Sequence, residues 1–298
     1  MSEFIQQLIN GLSLGAIYAL IALGYTMVYG ILKFINFAHG DIFMLGAFSG
    51  LYISRMLGFN SESITSALIV LLLSMVVCST IGVIIEKLAY KPLRNASKLT
   101  VLITAIGVSL FLEYTGQLVF GAAPQSFPTL LRNYNINVLG ATIGSNQIVV
   151  ILSALFLMNL LRIVVLKTKI GTAIRAVSNN LTAASLMGIN INTVISFTFV
   201  IGSSLAAAAG ILFAINYPSI DPLMGILPGL KAFIAAVLGG IGNFPGAVIG
   251  GLVIGIVETF TVGYLSPTYR DAIAFAILII ILIVKPTGLM GKKEIEKV

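Results

Sequence analysis

Four ionisable side chains lie inside otherwise apolar runs of this sequence: His39, Asp41, Glu113 and Glu258. A carboxylate at the centre of an apolar span costs about 2.5–3.5 kcal/mol on insertion scales, so each needs a partner, a cavity or an interfacial depth. Gathered in one place, such groups would form the proton or cation site of a secondary transporter. Scattered along the chain, they do not define one. His39 and Asp41 follow Lys33 closely, which favours an interfacial position over a midplane ion site. Glu113 comes 14 residues after Leu99, deep enough to want a partner, and Glu258 falls near the end of its apolar run.

Enzyme chemistry finds little footing. The run Gly240-Ile241-Gly242-Asn243-Phe244-Pro245 lacks the last glycine of a dinucleotide fingerprint. Gly291-Lys292 is followed by Lys293, with no glycine five residues earlier, so there is no phosphate loop. With a single histidine and no Gly-x-Ser-x-Gly element, a serine nucleophile has no base. Neither Asp221 nor Asp271 falls mid-run to pair with Asp41 as an intramembrane aspartyl protease requires. The chain is therefore expected to be no enzyme, to hold no cofactor, and to hydrolyse no ATP itself. Cys78 is the only cysteine, which excludes a disulfide or a multi-cysteine metal site within the chain.

The elements that position these residues are membrane spans. Of 298 residues, 58% are hydrophobic and 9% charged, against about 45–50% and about 25% in soluble domains. Phe4 to Leu32 contains no Asp, Glu, Lys or Arg; as a helix it exceeds the roughly 30 Å of a bilayer core. Its acidic flank and its length are wrong for a signal peptide. Further runs cover 34–54, 63–85, 99–120, 147–166, 191–215 and 270–286. The stretch 232–260 is broken by Gly239-Gly240-Ile241-Gly242-Asn243-Phe244-Pro245-Gly246, and a broken or re-entrant element is tolerated only where protein or water covers the freed backbone. The expectation is an all-α integral membrane protein with seven continuous spans and one interrupted element, in a single domain over 1–298.

The net charge of +7 is a topology signal, with nothing else pointing to nucleic acid. Alternate connections hold Lys33; Lys87, Lys91, Arg94 and Lys98; Lys167, Lys169 and Arg175; and Lys285, Lys292, Lys293 and Lys297. The opposite side holds Arg55, Arg132 and Arg270, with Arg162 and Lys231 at or within span ends. The positive-inside rule places the first set in the cytoplasm, the N-terminus outside and the C-terminus inside.

Small residues recur four apart at Gly11/Gly15, Gly46/Gly50, Gly246/Gly250 and Gly251/Gly255, a spacing that lets helix backbones approach closely. The cytoplasmic connection 167–190 is amphipathic. Ile174, Val177, Leu181, Ala184 and Met187 form one apolar stripe, and Asn180, a good N-cap, divides the stretch into two short helices. Such a stripe suits either the membrane surface or the grip of a cytoplasmic partner, with Arg175 as a charged anchor.

Several blocks resemble one family. Asn36-Phe37-Ala38-His39-Gly40-Asp41 followed by Met44-Leu45-Gly46-Ala47, the run Thr168 to Ala176 ending in Met187-Gly188-Ile189-Asn190, the run Lys231 to Gly242, and Pro286-Thr287-Gly288-Leu289 occur in order. They resemble the branched-chain amino-acid permeases of ABC importers, most of all the H-type subunits of leucine/isoleucine/valine systems. The resemblance spans nearly the whole chain. It implies an ABC importer permease fold, a second, similar (M-type) permease, two cytoplasmic ATPases that bind the ATP, and an extracytoplasmic substrate-binding protein in the bacterial inner membrane. Gly171, Arg175 and Ala176, with Asn180 and Gly188, would then couple to an ATPase. Asn36, His39, Asp41, Glu113, Gly240 and Gly242 are the candidates for lining the translocation path. Asn180-Leu181 stands where relatives often carry Asp-Pro, and Asp41 where Glu is common. The alternatives are a urea or amide permease of the same importer class and a secondary amino-acid transporter acting alone.

Overall fold

The computed structural model describes residues 2–59, 62–138 and 140–291. Lys292, Lys293 and Lys297 of the charge sorting lie outside the described residues. Helix α1 (Ser2–Leu32) takes up the long uncharged run and stops where Lys33 adopts a left-handed φ of 56°. The chain turns back through 33–38 into α2 (His39–Met56), then α3 (Ile64–Ile85), which continues through a π turn at Glu86–Tyr90 and a tight turn at Lys91–Leu93. Ser97 caps α4 (Lys98–Phe120) by accepting from the Thr100 amide. Three short strands follow: β1 (Gln125–Ser126), β2 (Asn135–Val138) and β3 (Ala141–Gly144), the last two forming an antiparallel hairpin.

Helix α5 (Ser145–Lys167) leads to the paired short helices α6 (Lys169–Asn179) and α7 (Leu181–Leu186), and α8 (Ile191–Asn216) returns. Strand β4 (Ser219–Ile220) pairs with β1. Helices α9 (Ile226–Gly239) and α10 (Phe244–Tyr264) flank the glycine-rich break, and α11 (Arg270–Val284) ends the helical part.

Among the described residues, seven helices are long and apolar enough to cross a membrane: α1, α3, α4, α5, α8, α10 and α11, with α3 and α11 taken together with their adjoining turns. Two expectations change. The stretch 34–54 is not one continuous span, because helix begins only at His39 and the resulting 18-residue α2, with its His, Asp and Arg, is not among the seven. The interrupted element starts earlier, at Ile226, and α10 alone is long enough to span.

Burial sorts the helices. In α1, 89% of the apolar window is buried and in α8 72%, against 28% or less in α3, α4, α5 and α11. The first two form the centre, and the others turn apolar faces outward, as helices bathed in lipid or facing another subunit must. The four-residue glycine pairs serve this packing. Gly11 and Gly15 of α1 face Gly251 and Gly255 of α10 so closely that a Cβ on Gly15 would come within 2.8 Å of the Leu252 Cα. Gly46 and Gly50 of α2 lie against Ala207 and Ile211 of α8, and Gly246 and Gly250 against Gly239 and Ala235 of α9.

Candidate functional site

The connection between α5 and α8 folds as two short helices divided at Asn180. Thr168 caps α6 by accepting from the Gly171 amide at 3.1 Å, Asn180 caps α7 by accepting from Ala183 at 2.9 Å, and Asn190 caps α8 by accepting from Thr193 at 3.2 Å. Each cap satisfies an amide that the first helical turn leaves without a partner. At the far end of α7, Gly188 takes a φ of 81°, and the Gly188 and Ile189 amides donate to the Ser185 and Ala184 carbonyls. This left-handed Schellman turn closes the helix.

The apolar stripe splits between two surfaces. Ile174, Val177 and Ala184 are buried beneath the segment, whereas Leu181, Leu186 and Met187 are exposed, the last two at 84% and 83%. Gly171 lies directly on the Val164 and Val165 carbonyls, where a Cβ would overlap them. Arg175 does not point away from the protein. Its Nη1 donates to the Val165 and Leu166 carbonyls at 2.9 and 3.3 Å, so a cation sits on the partially negative C-terminus of α5. Ala176 is half-buried against the apolar core. The outcome is a rigid elbow fixed to α5, with an exposed apolar knob at its tip.

Next to it, the first residues of α8 are tied to the end of α3. Glu86, fully buried, pairs with Arg94 and accepts from the Ser196 hydroxyl at 2.8 Å; Arg94 also donates to Asn192 at 2.5 Å. Arg94 is thus more than a topology marker. An acidic residue eight positions before it, at the end of an apolar run, was the available signal.

Within the spans, the candidate passage residues divide into two places. Asn36, His39 and Asp41 are all buried at the start of α2. The Tyr90 hydroxyl donates to Asn36 Oδ1 at 2.6 Å. The His39 ring abuts Gly24 of α1 and stands edge-on to Tyr25, at 4.7 Å between centroids. Asp41 accepts from the Ser109 hydroxyl of α4 at 2.5 Å, and the same hydroxyl reaches Glu113 at 3.5 Å. Gly24 in turn lies close to Gly202 of α8, so His39 and Asp41 are enclosed by protein rather than left against the surrounding lipid or water. The turn at 33–38 carries α2's start back among the helices, which proximity to Lys33 in sequence hid. Glu113 finds the partner it was expected to need.

Gly240 and Gly242 lie elsewhere. With φ of 101° and 93° they make the turn between α9 and α10. The tail folds onto that turn: the Leu289 and Met290 amides donate to the Leu238 and Gly239 carbonyls at 2.8 and 3.0 Å, capping α9.

A further cluster was not anticipated. Lys231 of α9 donates to Glu258 of α10 at 2.9 Å and pairs with Asp271 of α11 at 2.7 Å. Glu258 also accepts from the Tyr18 hydroxyl at 2.9 Å and from Arg270. So Glu258 is not isolated, and Lys231 and Arg270 are more than topology markers. Opposite charges on either side of the glycine-rich break were the signal.

The chain matches the family model described as branched-chain amino acid transport system / permease component over residues 7–282. It belongs to that family of multi-pass membrane permeases. Among its relatives, the high-affinity branched-chain amino acid transport system permease protein BraD of Pseudomonas aeruginosa is 42% identical over 303 residues, covering 99% of this chain and 98% of that one. The permease protein LivH of the corresponding system in Escherichia coli K12 is 43% identical over 302 residues, with the same coverage. A probable branched-chain amino acid transport permease of Methanocaldococcus jannaschii is 29% identical over 296 residues, covering 91% of this chain and 88% of its own length.

Proposed function

We propose that this chain is a membrane-spanning permease subunit, not itself an enzyme, of an ATP-driven importer that moves leucine, isoleucine and valine across the bacterial inner membrane. Full-length similarity to permeases of that cargo class carries the reading. The reading adds two cytoplasmic ATPases, a second permease of the M type and an extracytoplasmic binding protein as partners. The Lys- and Arg-rich end faces the cytoplasm, with the N-terminus outside and the C-terminus inside.

In this reading the α6–α7 elbow receives the motion of an ATPase. Gly171 and Arg175 weld the elbow to α5, Ala176 fills the joint, and Asn180 and Gly188 set where α7 begins and ends. A push on the exposed tip is passed to α5 and α8 as rigid bodies rather than absorbed by a loop. Asn36, His39, Asp41 and Glu113 border the passage on the α2–α4 side, and the Gly240–Gly242 turn sets the inner end of α9 and α10. Tight cargo selection belongs to the binding protein, which leaves the permease free to let cargo go.

The test is reconstitution with the neighbouring subunits and binding protein, following labelled leucine and urea with and without ATP. ATP-dependent leucine uptake is expected. Uptake of leucine by the chain alone without ATP, or preference for urea, would refute the proposal.

A further inference from the structure

Beside the Glu258 cluster the fold opens into a cavity of about 440 Å³, inside the range of about 300–1,000 Å³ typical of small-molecule sites. Its wall carries both signs of charge, from Lys231 and Arg270 on one hand and Asp271 and Asp221 on the other. Phe213, Met224, Leu227 and Pro228 supply an apolar wall. Lys231 is buried and committed to Glu258 and Asp271. The other three charged groups are only partly committed. The side chains of Arg270 and Asp271 are 44% and 42% exposed. Arg270 reaches Glu258 through Nε, and its five-donor fork offers more than Glu258 and the adjacent Tyr18 hydroxyl can use. Asp271 gives one oxygen to Lys231, and Asp221 one oxygen to the Leu223 amide at 2.9 Å.

A simple anion entering this cavity meets two aspartates, and a simple cation meets two basic groups. A solute with both charges on neighbouring atoms and an aliphatic branch fits all three features at once. We propose that the cavity is a reception site for a zwitterionic aliphatic amino acid. The guanidinium of Arg270 takes the carboxylate, Asp271 and Asp221 take the ammonium, and Phe213, Met224 and Leu227 take the side chain. The proposal rests on the importer reading above and deepens it, placing a low-affinity cargo contact within this chain on its Lys-poor side. Partial exposure and internal pairing of the charges keep the contact weak, which suits a site that must release its cargo.

Cys78 is the only cysteine and is fully buried, so Leu223→Cys, at a rim position 43% exposed, provides a single reporter. Spheroplasts carrying the whole importer, washed free of binding protein, are labelled with a membrane-impermeant maleimide. Leucine should slow labelling saturably, by about threefold at twice the half-protecting concentration, since protection follows 1 + [L]/Kd. Isocaproate, which lacks the ammonium, and leucinol, which lacks the carboxylate, should not protect. Arg270→Gln and Asp271→Asn should each raise the half-protecting concentration about tenfold, the loss of one charge-assisted contact. Asp221→Asn, which stays out of the Glu258 cluster, should raise it without the risk of disturbing that cluster. Labelling unaffected by leucine, or slowed equally by isocaproate, overturns the proposal. If ATP-dependent leucine uptake by the unsubstituted importer persists in that case, this inference alone has failed. Absence of that uptake instead removes the importer reading.

Discussion

Lys231 and Glu258, 27 residues apart and on opposite sides of the glycine-rich break, form a 2.9 Å ion pair in the interior, with side chains 3% and 2% exposed. The pair locks α9 against α10 at the end away from the Gly240–Gly242 turn that joins them. Buried charges of this kind are costly to strand. Removing one partner is expected to cost about 3–5 kcal/mol, because the other is left uncompensated. Lys231→Met and Glu258→Gln should both lower the thermal midpoint of the purified protein. Glu258→Gln should be the milder change, since an amide can still accept from Tyr18. The double variant should lose less than the sum of the two, and additive losses would show that the pair is not coupled.

The glycines make a sharper contrast than their number suggests. At Gly15 a Cβ would come within 2.8 Å of the Leu252 Cα, whereas at Gly30 and Gly107 nothing lies within 4 Å. Gly15→Leu should force α1 and α10 apart and cost upwards of about 1–3 kcal/mol. Gly107→Ala in α4 should be neutral or slightly stabilising, since alanine is the better helix former by about 1 kcal/mol. Membrane abundance and detergent melting of the two variants check this directly.

Composition and hydropathy made the helical spans and the break at Gly240 legible, and the N-cap at Asn180 correctly divided the segment between α5 and α8. Three features were not legible, each for a physical reason. The Lys231–Glu258 pair depends on α9 and α10 running side by side, a tertiary fact that no local window contains. The burial of His39 and Asp41 depends on the chain turning back after Lys33, and Phe34 to Ala38 read as the start of an apolar span. The stripe from Ile174 to Met187 has correct helical spacing, but a single stripe presumes one continuous helix. After the break at Asn180 only Ala184 of the stripe stays buried with Ile174 and Val177, and Leu181 and Met187 are exposed.

Asp41 and Glu113 share the Ser109 hydroxyl, at 2.5 and 3.5 Å, which is the arrangement a proton-coupled carrier would use. An ATP-driven importer has no such need. Asp41→Asn retains an acceptor for Ser109, and Glu113→Gln does the same. Both variants should keep ATP-dependent leucine uptake within about threefold of the original, a difference of less than about 1 kcal/mol in barrier height. Loss of uptake in both would argue for proton coupling instead.

If the α6–α7 elbow docks an ATPase as proposed, its division into a buried root and an exposed tip predicts two separable failures. Arg175→Glu places a carboxylate on the C-terminus of α5, where the helix dipole disfavours negative charge by about 0.3–1 kcal/mol, and it removes the bonds to the Val165 and Leu166 carbonyls. The elbow should loosen: ATPase subunits are retained in part, hydrolysis continues, and transport per ATP falls. Arg175→Lys should recover much of the coupling, because the charge is restored without the fork. At the tip, Leu186 and Met187 are 84% and 83% exposed, so Leu186→Asp and Met187→Asp disturb nothing inside this chain. They should leave its membrane abundance and melting unchanged while ATPase subunits fail to copurify. Ala184→Asp, one turn away but buried, should do the reverse and destabilise the segment itself. Copurification and hydrolysis measured on the same preparations separate the two failures, and normal transport in the Leu186 and Met187 variants would remove the tip from the docking surface.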